Sequence, residues 1–183
     1  MKNEFDTKKV AFTGLGALAF LLLFVFVKIP LNALNTNIQL AYAISGFAAA
    51  AYGPLSGFLV AFIGHTLNDF ICYSSPWWSW IIASGLSGFV SGLNYRYIGP
   101  YLVRGRCGKR QISHYLLGSL AAHFLAWVIC APALDVLIYK ETAAVVIKQG
   151  IIAFIVDFPT AFIGGLFLLK LYAALHKKNR ERK

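Results

Sequence analysis

The sequence predicts an all-α integral membrane protein built as a single bundle of six transmembrane helices. Hydrophobic residues make up 58% of the chain and charged residues only 13%, whereas soluble domains carry about 25% charged residues. The mean hydropathy is +0.66. A chain of 183 residues accommodates roughly six spans of about 20 residues each, so residues 1–183 are expected to form one membrane domain without a separate soluble domain.

Six apolar segments, each bounded by charged residues or by Pro and Gly, are the expected spans. They lie at residues 10–27, 38–52, 54–72, 77–98, 112–131 and 145–175. The first is expected to be a retained span, because no small-x-small cleavage site follows it. The second is too short for a hydrocarbon core about 30 Å thick, so it needs a polar flank or a thinned bilayer.

The basic residues indicate an orientation with both termini in the cytoplasm. Of the 17 Lys and Arg residues, all except Lys28, Lys140 and Lys148 fall at the ends expected to be cytoplasmic. By the positive-inside rule, this distribution predicts an even number of spans. The net charge of +10 then reflects topology and attraction to anionic membrane lipid, so no nucleic-acid partner is expected.

Uncharged amides and hydroxyls dominate the connections expected on the outer face, at residues 28–37, 73–76 and 132–144. Side chains of this kind both donate and accept hydrogen bonds, as sites for small neutral or zwitterionic molecules require. For each asparagine, turn formation is an alternative explanation. The candidate binding residues in these connections and at their edges are Asn35, Asn37, Gln39 and Tyr73.

The segment GHTLNDFICYSSPWWSW, residues 64–80, combines polar residues of the third span with tryptophans of the fourth. His65 and Asp69 share one helix face, with Asn68 beside them, and ionisable residues in a span usually face the protein interior. Trp77 and Trp78 fit an interfacial aromatic belt. Because neighbouring helix residues point about 100° apart, at least one of the two is expected to line an outer vestibule and to stack on a conjugated ring.

Two further polar residues, His123 and Asp157, lie deep in the fifth and sixth spans. With His65 they are expected to form a network, as a proton relay, a metal site or structural contacts. Pro159 is expected to kink the sixth span. No spacing supports a metal site, and the three cysteines show no metal or redox motif, although a bridge between Cys72 and Cys130 remains open.

Small residues cluster in the first span and indicate close helix contacts. They occupy nearly every side of its cytoplasmic end, so one side is available for a partner protein. The candidate docking residues are Ala11, Thr13, Gly14 and Ala17. The segments SGFAAAAYG and SGLSGFVSG are a second small-residue set, which could line a wide vestibule.

Motifs for ATP binding and for hydrolysis are absent from the sequence, including GxxxxGK[ST], GxSxG and HExxH. His65 and Asp69 have no adjacent nucleophile. The chain is therefore predicted not to be an enzyme and to use no cofactor of its own, so energy for uphill transport would come from partners or an ion gradient.

The stretch from Asn35 to Leu93, notably GPLSGFLVAFIGH and PWWSW, resembles the S components of energy-coupling factor (ECF) vitamin transporters. It is most similar to the riboflavin-type family. The resemblance implies a six-helix capture subunit in the bacterial cell membrane, which binds a vitamin outside and delivers it inward by rotating on a T component that carries two ATPases. Such proteins often have AxxxA in the first helix, where this chain has Thr13-x-x-x-Ala17.

Two ligands are considered on this basis, riboflavin for a stacking tryptophan and a cobalamin-like corrinoid for a wide vestibule. A second hypothesis is a proton- or cation-coupled secondary transporter that uses His65, Asp69, His123 and Asp157 as a relay. A third is an intramembrane enzyme in which His65 and Asp69 act as metal ligands or as an acid–base pair. The second predicts uptake by the protein alone, whereas a capture subunit predicts binding alone.

Overall fold

Within residues 7–31 and 37–182, which the structure describes, the computed structural model contains seven helices and one two-stranded antiparallel hairpin. The helices are α1 Thr7–Phe26, α2 Tyr42–Tyr52, α3 Pro54–Cys72, α4 Trp78–Gly92, α5 Tyr95–Leu102, α6 Lys109–Tyr139 and α7 Ala143–Glu181. The strands are β1 Lys28–Pro30 and β2 Asn37–Gln39, with Ile29 paired to Ile38.

Four helices, α1, α3, α6 and α7, are long and apolar enough to cross a membrane. Large apolar side chains on them are exposed, among them Leu15 at 63%, Ile155 at 60% and Phe167 at 65%. An apolar surface of this kind is compatible with contact to lipid tails, which are themselves apolar. The chain is therefore an all-helical membrane protein apart from its hairpin, while α2 with 11 residues and α4 with 15 are shorter than the about 20 that a perpendicular span needs.

Two predicted span boundaries are wrong. The segment 38–52 begins as β2, and its helix starts only at Tyr42. The segment 77–98 is divided between α4 and α5, because the helix stops at Gly92 and restarts at Tyr95. Asn94 lies at this break and its side-chain amide donates to the backbone oxygen of His114, 3.1 Å away, a bond to another helix that favours a break over a continuous helix.

The connection predicted at residues 132–144 is mostly helical. Helix α6 continues past Pro132 to Tyr139 through two π-helical segments, Phe124–Cys130 and Asp135–Tyr139. The wider π turns fit a proline within a long helix, and the apolar residues after it favour helix in a membrane. The helix ends at Lys140, which has a left-handed backbone with φ of 59°. Helix α7 likewise runs through Pro159 without interruption.

Small residues bring α2, α3 and α4 into backbone contact along a line that we call the glycine seam, made of Ala49, Pro54, Gly57, Gly88 and Gly92. A β-carbon added to Gly57 would lie 2.5 Å from both the Ala49 β-carbon and the Gly88 carbonyl oxygen. The small residues therefore bring helices together, and the prediction that they line a wide vestibule is wrong.

The two ends of the bundle differ in charge. At the basic end, the start of α1, the α2–α3 turn, α5 and the end of α7 come together, as the contacts of Gly53 with Lys9 and of Gly105 with Lys177 indicate. At the other end, called the cavity end, lie the hairpin, the end of α3, the start of α4 and the α6–α7 connection. This arrangement places the hairpin and the polar connections around one cavity.

Candidate functional site

A cavity of about 1030 Å³ lies at the cavity end, between α3 and α4 on one side and α7 on the other. Aromatic, aliphatic and polar side chains form its walls. The aromatic lining residues are Phe24, Tyr42, Tyr73, Trp77 and Trp80, and the polar ones are Asn37, Gln39, His65, Asp69, Ser75, Asp135, Glu141, Gln149 and Asp157. The predicted residues Asn37, Gln39, His65, Asp69, Tyr73, Trp77 and Asp157 thus meet at one cavity.

His65 and Asp69 are adjacent on one face of α3, as the sequence predicts. The His65 Nε2 lies 3.4 Å from Asp69 Oδ1, and both residues are buried. The other ring nitrogen of His65 is 2.6 Å from the Ser84 hydroxyl, which is 3.0 Å from the Tyr42 hydroxyl. Asp69 also accepts a 2.9 Å bond from the backbone N–H of Trp77. This chain of bonds holds α2, α3 and α4 around the cavity wall.

Asn68 and Trp78 do not line the cavity. The Asn68 amide is buried and donates to Asp69 Oδ1 at 3.0 Å. It therefore holds the Asp69 carboxylate in place without lining the cavity itself. The backbone N–H of Trp78 donates to the Tyr139 hydroxyl at 2.9 Å. Trp77 and Trp80 supply the aromatic surface instead, which agrees with the expectation that at least one of the adjacent pair Trp77 and Trp78 faces inward.

Asp135 fixes both of these indoles. Its carboxylate accepts bonds from Trp77 Nε1 at 2.7 Å, from Trp80 Nε1 at 2.9 Å and from the Ser79 hydroxyl. Asp135 is only 1% exposed. Since an unpaired buried carboxylate is costly, these three donors tie α4 to α6. The sequence predicts a connection at residues 132–144, which includes Asp135, although a lone acid in the apolar run ALDVLIY indicates burial against donors.

Each of the two indoles is also supported by a second ring. The Trp77 ring centre lies 4.4 Å from that of Tyr139, and the Trp80 ring stacks on Trp127 at 5.4 Å. Because the hydrogen bonds to Asp135 hold the edges of the indoles and these rings hold one face of each, the aromatic wall is fixed by the protein itself.

Strand β2 brings Gln39 to Asp157 on α7. The backbone N–H of Gln39 donates to Asp157 Oδ1 at 2.9 Å, and the Thr160 hydroxyl lies 3.4 Å from the Gln39 carbonyl. Asp157 is 4% exposed. The hairpin is thereby bonded to the middle of α7, whereas the sequence predicts no strand here and divides these residues between the connection 28–37 and the span 38–52. The predicted site residue Asn35 lies outside the described residues.

His123 is separate from the cavity lining. Its Nδ1 lies 2.8 Å from the Ser119 carbonyl, and among the described residues its Nε2 has no partner. Asp157 bonds to Gln39 instead, so the hydrogen bonds and ion pairs found in the described part of the chain do not join His65, His123 and Asp157 into one network, although the His123 ring lies 6.0 Å from that of Tyr42. Cys72, Cys107 and Cys130 are free thiols, which answers the question of a Cys72–Cys130 bridge.

The family model described as "ECF-type riboflavin transporter, S component" matches residues 4–174, which is nearly the whole chain. The chain belongs to this family. Among its relatives, the chain is 39% identical to a UPF0397 protein of Lactococcus lactis subsp. cremoris. The match covers 98% of this chain and 97% of the relative. The chain is 41% identical to one of Lactobacillus acidophilus, over 97% and 96% of the two chains, and 37% identical to one of Staphylococcus aureus, over 100% and 98%.

Membership defines the general role of the protein. An ECF S component is the substrate-binding, non-catalytic subunit of a bacterial membrane transporter, and the family implies association with a T component and ATPases. The hypothesis of an intramembrane enzyme is therefore wrong, and the prediction of a non-catalytic protein is confirmed. Among the described residues no three His, Cys, Asp or Glu side chains are grouped as a metal site.

Proposed function

We propose that this S component captures a vitamin with a planar conjugated ring in the cavity, with riboflavin as the first candidate. The observation that carries the proposal is the preorganised wall of Trp77 and Trp80 beside a floor of hydrogen-bond acceptors. Stacking on the indoles would hold the ring system, and the side chains of Gln39 and Asp157 would accept bonds from its N–H or O–H groups. The family description supports the same candidate.

A cobalamin-like corrinoid is the second candidate because of the size of the cavity. Pockets for small molecules usually measure about 300–1000 Å³, and a volume of about 1030 Å³ lies at the upper limit of that range. A large ligand would have to enter between the hairpin and the α6–α7 connection, because the glycine seam is closed.

The proposed orientation places the cavity end outside and both termini in the cytoplasm. The positive-inside rule supports it, since the basic end carries most Lys and Arg residues. The vitamin would then enter from outside and leave inward after the protein docks on the T component. The two partner ATPases would use the ATP, and the chain itself would need no cofactor.

The proposed docking surface is one exposed face of α1. Thr13 and Ala17 are buried, and the Thr13 hydroxyl lies 3.0 Å from that of Ser56 on α3, so these two predicted residues already serve the internal bundle. Ala11 and Gly14 are exposed, together with Leu15 and Leu18. The T component would contact this face of small and apolar residues.

An ion-coupled transporter remains the alternative from another class. Such a transporter would need a continuous path of protonatable groups, and among the described residues no hydrogen bond joins His123 to the bonded set of His65, Asp69 and Ser84. Uptake by the purified protein alone in proteoliposomes, with no ATPase partner, would support that alternative and contradict the capture-subunit proposal.

The first experiment is native mass spectrometry and visible absorption of the protein purified in detergent from cells grown in rich medium. A flavin mass with its absorption bands would support riboflavin, and a corrinoid mass would support the second candidate. If neither compound is found and titrations with both are flat, both ligand proposals are wrong.

A further inference from the structure

Gln39, the last residue of β2, brings a buried side-chain amide to the lining of the cavity. The residue is only 6% exposed and lies among the lining residues. Its side-chain oxygen is buried without a hydrogen-bond partner in the described structure. Leaving a buried acceptor unsatisfied is costly, so this oxygen indicates a place where a bound molecule supplies a donor.

The backbone of Gln39 is fixed from two sides, which gives the side chain a defined position. Its N–H donates to Asp157 Oδ1 at 2.9 Å, and its carbonyl oxygen lies 3.4 Å from the Thr160 hydroxyl. Within the hairpin, Gln39 pairs with Lys28. Because the strand is held by both α7 and β1 and the side chain is buried, little conformational freedom remains to be lost when a ligand binds.

Other buried polar groups of the lining already have partners within the protein. Both ring nitrogens of His65 have contacts, one with the Ser84 hydroxyl and one with Asp69. Asp135 accepts three hydrogen bonds from α4 and its first residues. Among the described lining residues, the side-chain oxygen of Gln39 is the fully buried polar atom that the protein leaves unpaired.

The lining favours an uncharged ligand over an anion. Its described residues include no lysine or arginine, and residues 32–36, which lie outside the described part, carry no charged side chain. The Lys28 Nζ lies 5.7 Å from the centre of the Tyr73 ring, and the Lys140 Nζ donates to the Leu137 carbonyl at 3.0 Å. A phosphate group would therefore be buried without a cationic partner, which is costly.

The chemistry of a carboxamide matches a ring that carries an N–H group next to a carbonyl. The amide oxygen accepts hydrogen bonds and the amide nitrogen donates them, so a lactam or imide edge can form two parallel bonds with it. An isolated hydroxyl forms only one. A lactam or imide edge is also planar and conjugated with its ring, and the same ring can stack on the indole of Trp77 or Trp80.

We infer that Gln39 selects the cargo by pairing with the lactam or imide edge of an uncharged planar ring. This inference rests on the proposed function, and it adds which edge of the ring is recognised and which residue recognises it. The tricyclic ring of riboflavin has an imide N–H between two carbonyls and meets this requirement. A corrin ring does not, because its ring nitrogens bind the metal.

The test compares three flavins: riboflavin, riboflavin methylated at its imide nitrogen, and lumiflavin, which keeps the imide but has a methyl group in place of the ribityl chain. Each is titrated into the detergent-purified wild-type protein, freed of endogenous ligand, and followed by quenching of the flavin fluorescence. We expect methylation of the imide to weaken binding about 10- to 100-fold, because it removes the donor and leaves the Gln39 oxygen unpaired.

The Gln39→Met variant isolates the amide, because methionine has a similar length and its thioether is only a weak acceptor. We expect this variant to weaken the binding of riboflavin and of lumiflavin by similar factors, about tenfold, and to bring the methylated compound within about threefold of riboflavin.

The matched control is Gln111→Met. Gln111 is buried to a similar extent, at 7% exposed, and its side chain accepts a 3.1 Å bond from the Gly108 N–H at the start of α6. It does not line the cavity. The preference for riboflavin over its methylated form should therefore remain in this variant.

Equal affinity of the wild-type protein for riboflavin and its methylated form would overturn the inference, even if Gln39→Met does not fold. A preference that persists in folded Gln39→Met, or that is lost equally in Gln111→Met, would also overturn it. If Gln39→Met weakens riboflavin but not lumiflavin, a ribityl hydroxyl is the donor and the ring edge is not recognised.

The inference and the proposed function fail in different ways. Tight binding of riboflavin without discrimination against the methylated form would leave riboflavin capture standing and overturn the role of Gln39 alone. If no flavin binds, both the inference and riboflavin as the cargo are wrong.

Discussion

The glycine seam and the cavity hold helices together in opposite ways. At the seam, backbone meets backbone, as the contact of Gly57 with Gly88 shows. At the cavity, α4 and α6 are joined through the side chain of Asp135 and its bonds to Trp77 and Trp80. The seam therefore cannot accept added atoms, whereas the cavity wall is sensitive to the loss of the side chains that join its helices.

The largest effect is expected when the seam is broken by Gly88→Val. An added β-carbon would overlap the carbonyl of Gly57 and lie 2.9 Å from the Phe58 nitrogen. Neither backbone atom can move unless α3 separates from α4, so we expect a loss of about 3 kcal/mol or more of unfolding free energy. Thermal unfolding of the detergent-purified protein measures it.

Gly14→Val is the matched control for this variant. A β-carbon at Gly14 has no atom within 4 Å, so the same substitution should leave the unfolding temperature nearly unchanged. Equal stability of the two variants would show that the seam is not closely packed.

The next effect is expected at Asp135, where the two helices are joined by side chains. Asp135→Ala leaves the Trp77 and Trp80 indole N–H groups and the Ser79 hydroxyl without their acceptor. We expect a loss of about 2–4 kcal/mol of stability, together with a shift of the tryptophan fluorescence to longer wavelength. Asp135→Asn, which keeps one acceptor oxygen, should fall between wild type and alanine. A fully stable Asp135→Ala protein would show that the bonds do not hold α4 to α6.

A smaller effect is expected at the aromatic wall. Trp77→Ala removes a stacking surface of the cavity, so we expect the affinity for the co-purified vitamin to fall about tenfold, which is about 1.4 kcal/mol. Trp78→Ala serves as the control, because Trp78 is next in sequence but is not part of the cavity lining, and its affinity should change less than twofold. Isothermal titration of both variants decides between them. A larger loss in Trp78→Ala would mean that the ligand lies outside this cavity.

Much of the site could be predicted because membrane burial makes polar residues informative. The pairing of His65 with Asp69 follows from helical spacing, and a membrane-embedded Asp157 signals an interior position. The α3 boundaries, residues 54–72, agree with the prediction because Pro54 begins the helix and a serine-rich turn follows Cys72.

The rest could not be predicted because it depends on contacts between distant segments. The sequence places Asp135 in a connection, since Pro132 indicates the end of a helix, whereas α6 continues through π turns that bring Asp135 to Trp77 and Trp80. The hairpin was missed because β2 has three residues and gains its place from the bond to Asp157. The small residues fit either a close helix contact or a wide vestibule. Only the packing of α3 against α4, seen at Gly57 and Gly88, distinguishes the two alternatives.

The smallest effect on the isolated chain, and a selective one on the assembled transporter, is expected for Gly14→Leu. Because Gly14 has open space around it, leucine should alter neither the unfolding temperature nor the affinity for the vitamin. It should still block close approach of a partner helix to α1, so co-purification with the T component and ATP-dependent uptake should fall at least about tenfold. Ala121→Leu, a change at a residue of α6 that is also exposed, is the control and should leave both intact. Normal assembly of Gly14→Leu would show that the T component does not dock on this face, while a loss of vitamin binding would show that α1 is coupled to the cavity and is more than a docking surface.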